Sequence, residues 1–320
     1  MAITTPAGSS RRDFIRLTGT LGVAAGLAVS LAACGGKGKT SGGAKASGSA
    51  MATDQEVTHK DGVITAGISY ELGTNGYDPM TTSSALTVAA NWHTLEGLTE
   101  LHPATREVYA ALASEMPKKV DDTTYEVALR KDAKFSDGAA VTADDVVFSF
   151  TRVLDPANKS LYSQFLPFID KVEAKDTSTV TIKLKYAFSL VAERLSVVKI
   201  VPKAIVEADA KAFDMSPTGS GPYKMTDNGA ASQKIVFERN DSYNGPRPAL
   251  AKSMTWQVLP DDTTRTNAMS SGSVQAIDAV PAANLSTLKD PVKVAAQQGF
   301  GLLFAMFNNT TFSNVKARQA

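Results

Sequence analysis

The sequence of 320 residues has little that would support redox, metal or polyanion chemistry. Its single cysteine, Cys34, cannot form a disulfide within the chain, so stability must come from packing. The three histidines, His59, His93 and His102, have no Cys or carboxylate at metal-ligand spacing, which argues against a metal site. Lys and Arg number 33 and Asp and Glu 32, so the charge is balanced and no global field would attract nucleic acid.

The sequence also lacks a catalytic signature. The glycines of TGSGPYKM at 218–225 do not have phosphate-loop spacing, and we interpret them instead as a turn where Gly219 and Gly221 allow two backbones to approach closely. Asp144 and Asp145 are neighbours on a predicted helix and do not face each other, which argues against a carboxylate pair. No Ser, His and Asp arrangement is evident. We therefore predict that the protein is not an enzyme and has no cofactor.

A basic and then apolar segment opens the chain. SSRRDFIRL at 9–17 places Arg11 and Arg12 before an apolar run at 17–33 that ends in LAAC. Its length and its Gly and Ala content favour a cleaved export signal over a transmembrane anchor. SRRDFI resembles the twin-arginine export signal and LAAC resembles the lipobox of bacterial lipoproteins. The resemblance implies cleavage of a signal peptide at 1–33 and a diacylglyceryl group on Cys34. The residues that follow are rich in Gly, Ser and Lys and almost free of apolar side chains, so we predict a flexible tether to residue 60.

From residue 61 onward, strand-like and helix-like patterns alternate. Period-two alternation predicts strands at 123–130 and 179–186, and short apolar runs predict strands at 62–69, 233–239, 253–259 and 301–308. Helical periodicity predicts helices at 87–98 and 204–213. With 43% hydrophobic residues, the chain has enough apolar side chains for a sizeable core. The predicted fold class is mixed α/β, or α+β.

The stretch KFSDGAAVTADDVVFSF at 134–150 predicts a turn followed by a capped helix. Thr142 and Asp145 have the spacing of a capping box. SDG at 136–138 has the chemistry of a tight turn, in which Ser136 or Asp137 can bond the following backbone and Gly138 supplies a conformation that other residues resist. One apolar stripe follows, made of Val146, Val147, Phe150, Val153 and Leu154. We interpret this stretch as structural scaffold.

Six segments, in order, resemble a known family. They are EGLTEL (96–101), YEVALRKDAKFSDGAAVTADDVVFSFTRVLDP (125–156), VPKAIVE (201–207), TGSGPYKM (218–225), IVFERNDSYNG (235–245) and FSNVKARQA (312–320). Together they resemble the extracellular solute-binding proteins, family 5, of oligopeptide and dipeptide ABC importers. Two positions depart from the family pattern: Ser220 replaces the usual Thr, and Asn244 stands where an aromatic residue is common.

The resemblance implies a two-lobed fold like that of periplasmic binding proteins. Residues 61–95 and 201–299 would form the first lobe, and residues 96–200 a subsidiary domain inserted in it. Residues 300–320 would begin a second lobe that is mostly missing, so we expect an N-terminal fragment. In the family, that second lobe also supplies the acidic residue that pairs with the amino group of a bound peptide.

The resemblance further implies that an extended peptide binds by β-strand addition. The candidate ligand-binding residues are Ser83, Ser84, Ala85, Tyr162, Tyr70 and Glu71. The first three follow the Asp-Pro of YDPMTTSSAL, and Tyr162 matches a family tyrosine that faces the ligand. Structural alternatives remain open, because a Ser/Thr-rich loop is often a lead-in to a helix and Tyr162 could be a core tyrosine.

The function implied by the resemblance is a lipid-anchored receptor on the extracytoplasmic face of the cell membrane. It would capture an oligopeptide or dipeptide and deliver it to the permease subunits of an ABC transporter. We expect a monomer with no nucleic-acid partner and no metal. Two alternatives remain: a receptor for a non-peptide solute such as a nickel chelate or haem, and an exported hydrolase.

Overall fold

The strands of this protein lie where short apolar runs alternate with polar residues. The computed structural model describes residues 61–72, 76–103, 105–295, 310–311 and 313–316. The signal segment, Cys34, the tether and the strand predicted at 301–308 lie outside the described residues. The described strands are β1 (Val63–Ile68), β2 (Thr99–Leu101), β3 (Val108–Ala110), β4 (Lys118–Asp121), β5 (Thr124–Ala128), β6 (Ile169–Asp176), β7 (Thr179–Leu184), β8 (Tyr223–Asn228), β9 (Lys234–Arg239), β10 (Ser253–Val258) and β11 (Ala276–Ile277).

Six α-helices lie between these strands in the part of the chain that the structure describes. They are α1 (Ala85–Thr94), α2 (Ala143–Leu154), α3 (Val191–Leu195), α4 (Lys203–Ala208), α5 (Ala210–Met215) and α6 (Asp262–Ser270). Short 3₁₀ turns span Pro156–Asn158, Ser163–Phe165 and Ala282–Thr287. In the part of the chain that the structure describes, no helix is both long and apolar enough to cross a membrane. The predicted mixed α/β class is confirmed.

One sheet has five strands in the order β11-β1-β10-β9-β8. β1 runs parallel to β10 and β11, whereas β10, β9 and β8 are antiparallel neighbours. Side chains from α1, including Leu86 and Ala90, share a buried cluster with Ile235, Phe237 and Met254 of the sheet. The strands of this sheet come from distant parts of the chain. The connection from β1 to α1 leaves this sheet and returns to pack on it.

The other large sheet has four antiparallel strands in the order β4-β5-β7-β6, and β2 and β3 form a separate two-stranded ribbon. The period-two prediction for β7 is confirmed, because Val180, Ile182 and Leu184 are buried and alternate with partly exposed residues. The stripe of α2 packs onto the same cluster, with Phe150 fully buried. This sheet and α2 therefore enclose one core.

The predicted start of α2 is also confirmed. The capping box is present, and the Asp145 carboxylate accepts the backbone N–H of Thr142 at 2.9 Å. Its other oxygen accepts the N–H of Lys203 at 2.9 Å, so the cap also anchors α4. Before the helix, Asp137 accepts the N–H of Ala139 at 3.0 Å and Gly138 adopts a φ of +94°. Asp145 is structural here, as the sequence predicts.

The helix predicted at 87–98 is wrong at its end, because α1 begins at Ala85 and stops at Thr94. Leu95 and Leu98 continue the apolar period, but the chain is already extended at Leu95. The Thr94 carbonyl accepts the N–H of Gly221 at 2.9 Å, so a loop replaces the next helical turn. A Cβ at Gly219 would lie 2.0 Å from the same oxygen, which confirms the predicted close approach.

The helix predicted at 204–213 is interrupted and forms α4 and α5. Asp209 is the break, and its side chain accepts the N–H groups of Lys211 and Ala212 at 3.1 and 3.0 Å. An Asp that caps a new helix competes with continuation of the previous one. Apolar periodicity alone could not reveal this local competition.

A buried ion pair lies between the two large sheets. Arg130 follows β5 and its Nη2 is 3.1 Å from Oε2 of Glu96, which is itself buried. Burial raises the pKa of Glu96, and the Arg130 guanidinium opposes that rise. Asn244, after β9, accepts from Arg130 Nε at 2.9 Å and donates to the Lys131 carbonyl at 2.9 Å. The residue that departs from the family pattern therefore joins the two regions.

Candidate functional site

The loop between β1 and α1 is held by a buried carboxylate. Asp78 accepts the N–H of Met80 on its side chain at 2.9 Å, and its carbonyl accepts the N–H of Thr82 at 3.0 Å. The same carboxylate forms an ion pair with Arg152 of α2. The side chain of Asp214, in α5, accepts the Asp78 N–H at 2.8 Å. Asp78 thereby fixes the path of the described part of this loop, residues 76–84.

The segment after α2 donates hydrogen bonds to carbonyl groups of the same loop. Ser160 donates its hydroxyl to the Met80 carbonyl at 2.9 Å, and the Tyr162 hydroxyl donates to the Thr82 carbonyl at 2.7 Å. Burial raises the pKa of Tyr162, so its hydroxyl stays protonated and able to donate at neutral pH. Elements that pack on the four-stranded sheet therefore position a loop that leads out of the five-stranded sheet.

The predicted residues Ser83, Ser84 and Ala85 form the entry to α1. Ser84 is the N-cap, in an extended conformation with φ −63° and ψ 129°, and its carbonyl accepts the N–H of Val88 at 2.9 Å. Ser83 and Ala85 are exposed and Ser84 is half-buried. Within the described residues, no hydrogen bond engages the backbone N–H groups of these three residues. They can therefore donate to a bound molecule.

A cavity of about 430 Å³ lies beside this loop. Pro79 and Thr82 of the loop line it, as does Tyr162. The other lining residues are Val88, Asn91, Trp92, Leu101, Arg106, Phe165, Leu190, Glu193, Arg194, Ser196, Val197 and Lys199. Its volume falls within the range of about 300–1,000 Å³ that is typical of small-molecule sites. The cavity thus joins the β1–α1 loop, one face of α1 and the elements around α3.

The walls of this cavity are apolar with cationic groups among them. Trp92, Phe165 and Leu190 are 56%, 41% and 46% exposed, which is unusual for side chains of this size. Lys199 is buried and its ammonium pairs with Glu100. Arg194 lies with its guanidinium 5.9 Å from the centre of the Phe165 ring. Such a surface combines exposed apolar area with positive charge, a composition that suits contact with an amphipathic molecule.

The opposite face of α1 is occupied by a structural histidine. The His93 ring lies 5.3 Å from that of Trp256 and 5.9 Å from that of Phe237. Burial lowers the pKa of His93 to about 4, so the ring is neutral at physiological pH. Among the residues that the structure describes, no group of three or more His, Cys, Asp or Glu side chains could hold a metal ion.

The other predicted residues lie apart from the cavity lining. Tyr70 and Glu71 follow β1 and are exposed, with Tyr70 54% exposed. Neither lines the cavity. Ser83, Ser84 and Ala85 adjoin it through Thr82 without lining it, whereas Tyr162 lines it directly. The structure thus brings Tyr162 and the Ser83–Ala85 stretch together and leaves Tyr70 and Glu71 outside that lining.

Sequence reasoning missed most of the cavity. Val88, Asn91 and Trp92 have i, i+3, i+4 spacing and share one face of α1, and an exposed Trp on that face was a usable signal. Arg106 and Arg194 come from elements 88 residues apart in the chain, so no local pattern could join them. Asp78 carried a signal in its Asp-Pro turn, but its pairing with Arg152 depends on tertiary structure.

Comparison with known proteins gives a consistent family. Residues 107–320 match the family described as bacterial extracellular solute-binding proteins, family 5 Middle. Protein XP55 of Streptomyces lividans is 34% identical over 170 residues, which are 52% of this chain and 31% of that protein. The oligopeptide-binding protein AppA of Bacillus subtilis is 29% identical over 225 residues, 67% of this chain and 41% of AppA. Heme-binding protein A of Haemophilus influenzae is 30% identical over 251 residues, 70% of this chain and 46% of that protein.

The fold is similar to that of AppA from Bacillus subtilis, solved in complex with a nonapeptide. The TM-score is 0.64 at 26% identity, over 71% of this chain and 46% of that chain. The similar solved structures are two-lobed periplasmic binding proteins. This chain spans less than half of the length of the three relatives named above. Since the family match covers more than half of the sequence, the chain belongs to the bacterial extracellular solute-binding proteins, family 5.

Proposed function

We propose that this protein captures a peptide in extended form and delivers it to an ABC importer. The observation that carries the proposal is the row of backbone N–H groups at Ser83, Ser84 and Ala85, which have no partner within the described residues. They stand beside a cavity of about 430 Å³. Carbonyl groups of an extended peptide would accept from them, as in the addition of a strand to a sheet edge.

Tyr162 has two roles in this proposal. Its hydroxyl holds the Thr82 carbonyl and so orients the peptide unit that precedes Ser83, while its ring forms part of the wall that contacts the ligand. Tyr70 and Glu71, exposed after β1, form a second and outer contact region. Main-chain recognition with roomy side-chain pockets gives affinity with little sequence preference.

The proposed organisation follows the chain. Residues 61–95 and 201–299 form the first lobe, residues 96–200 form the subsidiary domain, and a second lobe begins near residue 300. The sheet composition supports this, because one sheet draws its strands from 63–68 and 223–277 and the other from 118–184. Residues 1–33 direct export, and a lipid on Cys34 holds the protein, as a monomer, on the extracytoplasmic face beside its permease.

Calorimetric titration of the protein with defined tripeptides to pentapeptides tests the function. Binding to the native state raises the free energy of unfolding by RT ln(1 + [L]/Kd), so the melting temperature is also expected to rise with peptide concentration. After incubation with the protein, we expect mass spectrometry to show that the peptides are intact. Cleaved peptides would favour an exported hydrolase. AppA and Heme-binding protein A are binding proteins by name, and AppA was solved in complex with a nonapeptide. These names also favour binding over catalysis.

A single backbone donor can be removed to test the mode of binding. Ser84 has a φ of −63°, which proline adopts without strain, so Ser84→Pro deletes one N–H. Ser84→Ala keeps the N–H and serves as the matched control. Loss of one hydrogen bond would weaken peptide binding by about three- to tenfold in the proline variant alone. Equal affinities of the two variants would count against main-chain pairing at this position.

Haem is a second candidate ligand, favoured by the 30% identity with Heme-binding protein A. Titration with haem, followed by its visible absorption band, separates the two candidates. If the protein bound haem saturably and bound none of the peptides, haem capture would replace peptide capture as the proposed function. The same titration with a nickel chelate covers the remaining class of non-peptide solutes.

A further inference from the structure

We infer that the cavity beside the β1–α1 loop binds a free carboxylate of the ligand together with the large apolar group next to it. This inference rests on the proposed function and names the part of the solute that the cavity selects. For a peptide, that part is the C-terminal residue with its carboxylate and side chain. Three features of the cavity carry the inference: an unpaired acceptor, two unpaired cations and wide apolar walls.

The unpaired acceptor is the side-chain oxygen of Asn91. Asn91 lines the cavity and is only 3% exposed. Its Nδ2 donates to the Tyr77 carbonyl at 2.7 Å, which fixes the orientation of the amide, but Oδ1 has no hydrogen-bond partner. A buried polar atom without a partner is destabilising, because it has lost its hydrogen bonds to water and gained none. An N–H group from a bound molecule would satisfy this atom, and a peptide amide is such a donor.

The unpaired cations are Arg106 and Arg194. Both line the cavity, and neither guanidinium forms an ion pair or side-chain hydrogen bond with another described residue, although Arg194 lies over the Phe165 ring. Lys199, the third cation of the lining, is already paired with Glu100. Arg106 stands at the turn between β2 and β3, and Arg194 stands in α3, so they approach the cavity from separate elements. A guanidinium prefers the planar, bidentate geometry of a carboxylate.

The apolar walls define what accompanies the carboxylate. Trp92 comes from α1, Phe165 from the segment after α2 and Leu190 from the turn before α3, and all three are more than a third exposed. Covering such side chains favours binding, because it removes apolar surface from water. Glu193 is the acidic residue of the lining, and it would repel a second negative charge beside the first. A single carboxylate beside an aromatic or aliphatic group fits this surface.

Matched peptides test the inference without changing the protein. Calorimetry would compare Ala-Ala-Phe as the free acid with its C-terminal amide, and with Ala-Ala-Gly as the free acid. We expect the amide to bind at least about tenfold more weakly than the acid, because charge-assisted hydrogen bonds to the guanidinium groups are lost. The glycine peptide is expected to bind more weakly as well, since the walls stay exposed.

Two variants assign the effect to this cavity. Arg106→Gln and Arg194→Gln are expected to weaken binding of the free acid about tenfold each and to change binding of the amide by less than about twofold. Lys171→Gln, at an exposed position on β6, is the matched control and is expected to leave both affinities unchanged. Thermal unfolding of each variant checks that the fold is intact.

The outcomes separate this inference from the proposed function. Equal binding of acid and amide, or equal losses for both peptides in the arginine variants, overturns the carboxylate site while peptide capture stands. Absence of binding by every peptide, combined with arginine-dependent binding of haem through its propionates, overturns peptide capture and supports the carboxylate site. Absence of binding by every peptide and by haem overturns both.

Discussion

The two large sheets of this molecule build their cores by different routes. Every buried member of the cluster under the four-stranded sheet lies between Leu98 and Ile200. The cluster under the five-stranded sheet draws its buried members from 66–90 and 223–258. Its parallel pair β1 and β10 joins Val63 to Ser253. The first core can form from one contiguous stretch, residues 98–200, which we call the contiguous region. The second must close a long loop before β1 can pair with β10, although β8, β9 and β10 pair with their neighbours in sequence.

The candidate site lies where these two regions meet. The β1–α1 loop leaves the five-stranded sheet, but its carbonyl and carboxylate groups are held by Arg152, Ser160 and Tyr162 from the contiguous region. A loop held from outside its own sheet depends on the neighbouring region for its shape. If this loop binds the ligand as proposed, we expect binding to depend on the contiguous region even at positions that no ligand touches.

The largest loss of stability is expected from creating a cavity in the buried cluster under the four-stranded sheet. Phe150 is fully buried in α2, so Phe150→Ala is expected to lower the free energy of unfolding by about 3–5 kcal/mol. Hydrogen exchange is expected to show lost protection in β5, β6 and β7 first. Phe165→Ala, at a residue that is 41% exposed, is the control with the same side chain and a much smaller expected loss.

A matching substitution in the five-stranded sheet tests whether the two regions unfold independently. Phe237 is fully buried in the cluster of the five-stranded sheet, and Phe237→Ala is expected to lower protection there while β5 and β7 stay protected. If either substitution lowered protection equally in both sheets, the two regions would be a single cooperative unit and the distinction between them would fail.

The next effect concerns the ion pair between the two sheets. Arg130→Ala leaves Glu96 buried without its partner and is expected to cost about 3 kcal/mol. The double variant Arg130→Ala with Glu96→Gln is expected to recover much of that loss, because no uncompensated charge remains. Lys171→Ala removes an exposed pair with Glu173 and is expected to leave the denaturation midpoint unchanged. A loss in the double variant as large as in the single one would contradict the role of the pair.

Much of the fold could be predicted from the sequence because its signals are local. The capping box of Thr142 and Asp145, the turn at Gly138 and the alternation along β7 each involve residues a few positions apart. The errors at 95–98 and at Asp209 arose where a loop or an aspartate competed with an apolar period that continued. Periodicity measures burial, and burial does not fix the backbone conformation.

Less of the candidate site could be predicted, for a different reason. Tyr162 and the stretch at Ser83 came from a resemblance, and the structure places them next to each other through Thr82. Arg106, Arg194 and Asn91 meet only because three separate elements converge on one cavity. Such convergence depends on pairings between distant strands. No local sequence pattern indicates which distant strands pair.

A pH dependence is expected to appear in the five-stranded region. Burial lowers the pKa of His93 to about 4 in the folded protein, below the 6.5 of the unfolded chain. The unfolded chain therefore binds more protons between these values, so stability is full above pH 6.5 and falls as the pH drops toward 4. The loss is about 2–3 kcal/mol by pH 4. It is measured by urea unfolding across this range, and His93→Phe is expected to flatten this part of the profile. If the dependence of the unfolding free energy on pH were unchanged in the variant, a group other than His93 would cause the acid sensitivity.

The smallest effect comes from removing one hydroxyl at the meeting point of the two regions. Tyr162→Phe loses the 2.7 Å hydrogen bond to the Thr82 carbonyl and is expected to cost about 1 kcal/mol of stability. Tyr223→Phe loses a comparable bond, 3.2 Å long, to the Ala251 carbonyl inside the five-stranded region. Because Tyr162 orients the peptide unit before Ser83, only its variant is expected to weaken peptide binding, by a few-fold in calorimetry. Equal binding by the two variants would mean that the loop keeps its shape without help from the contiguous region.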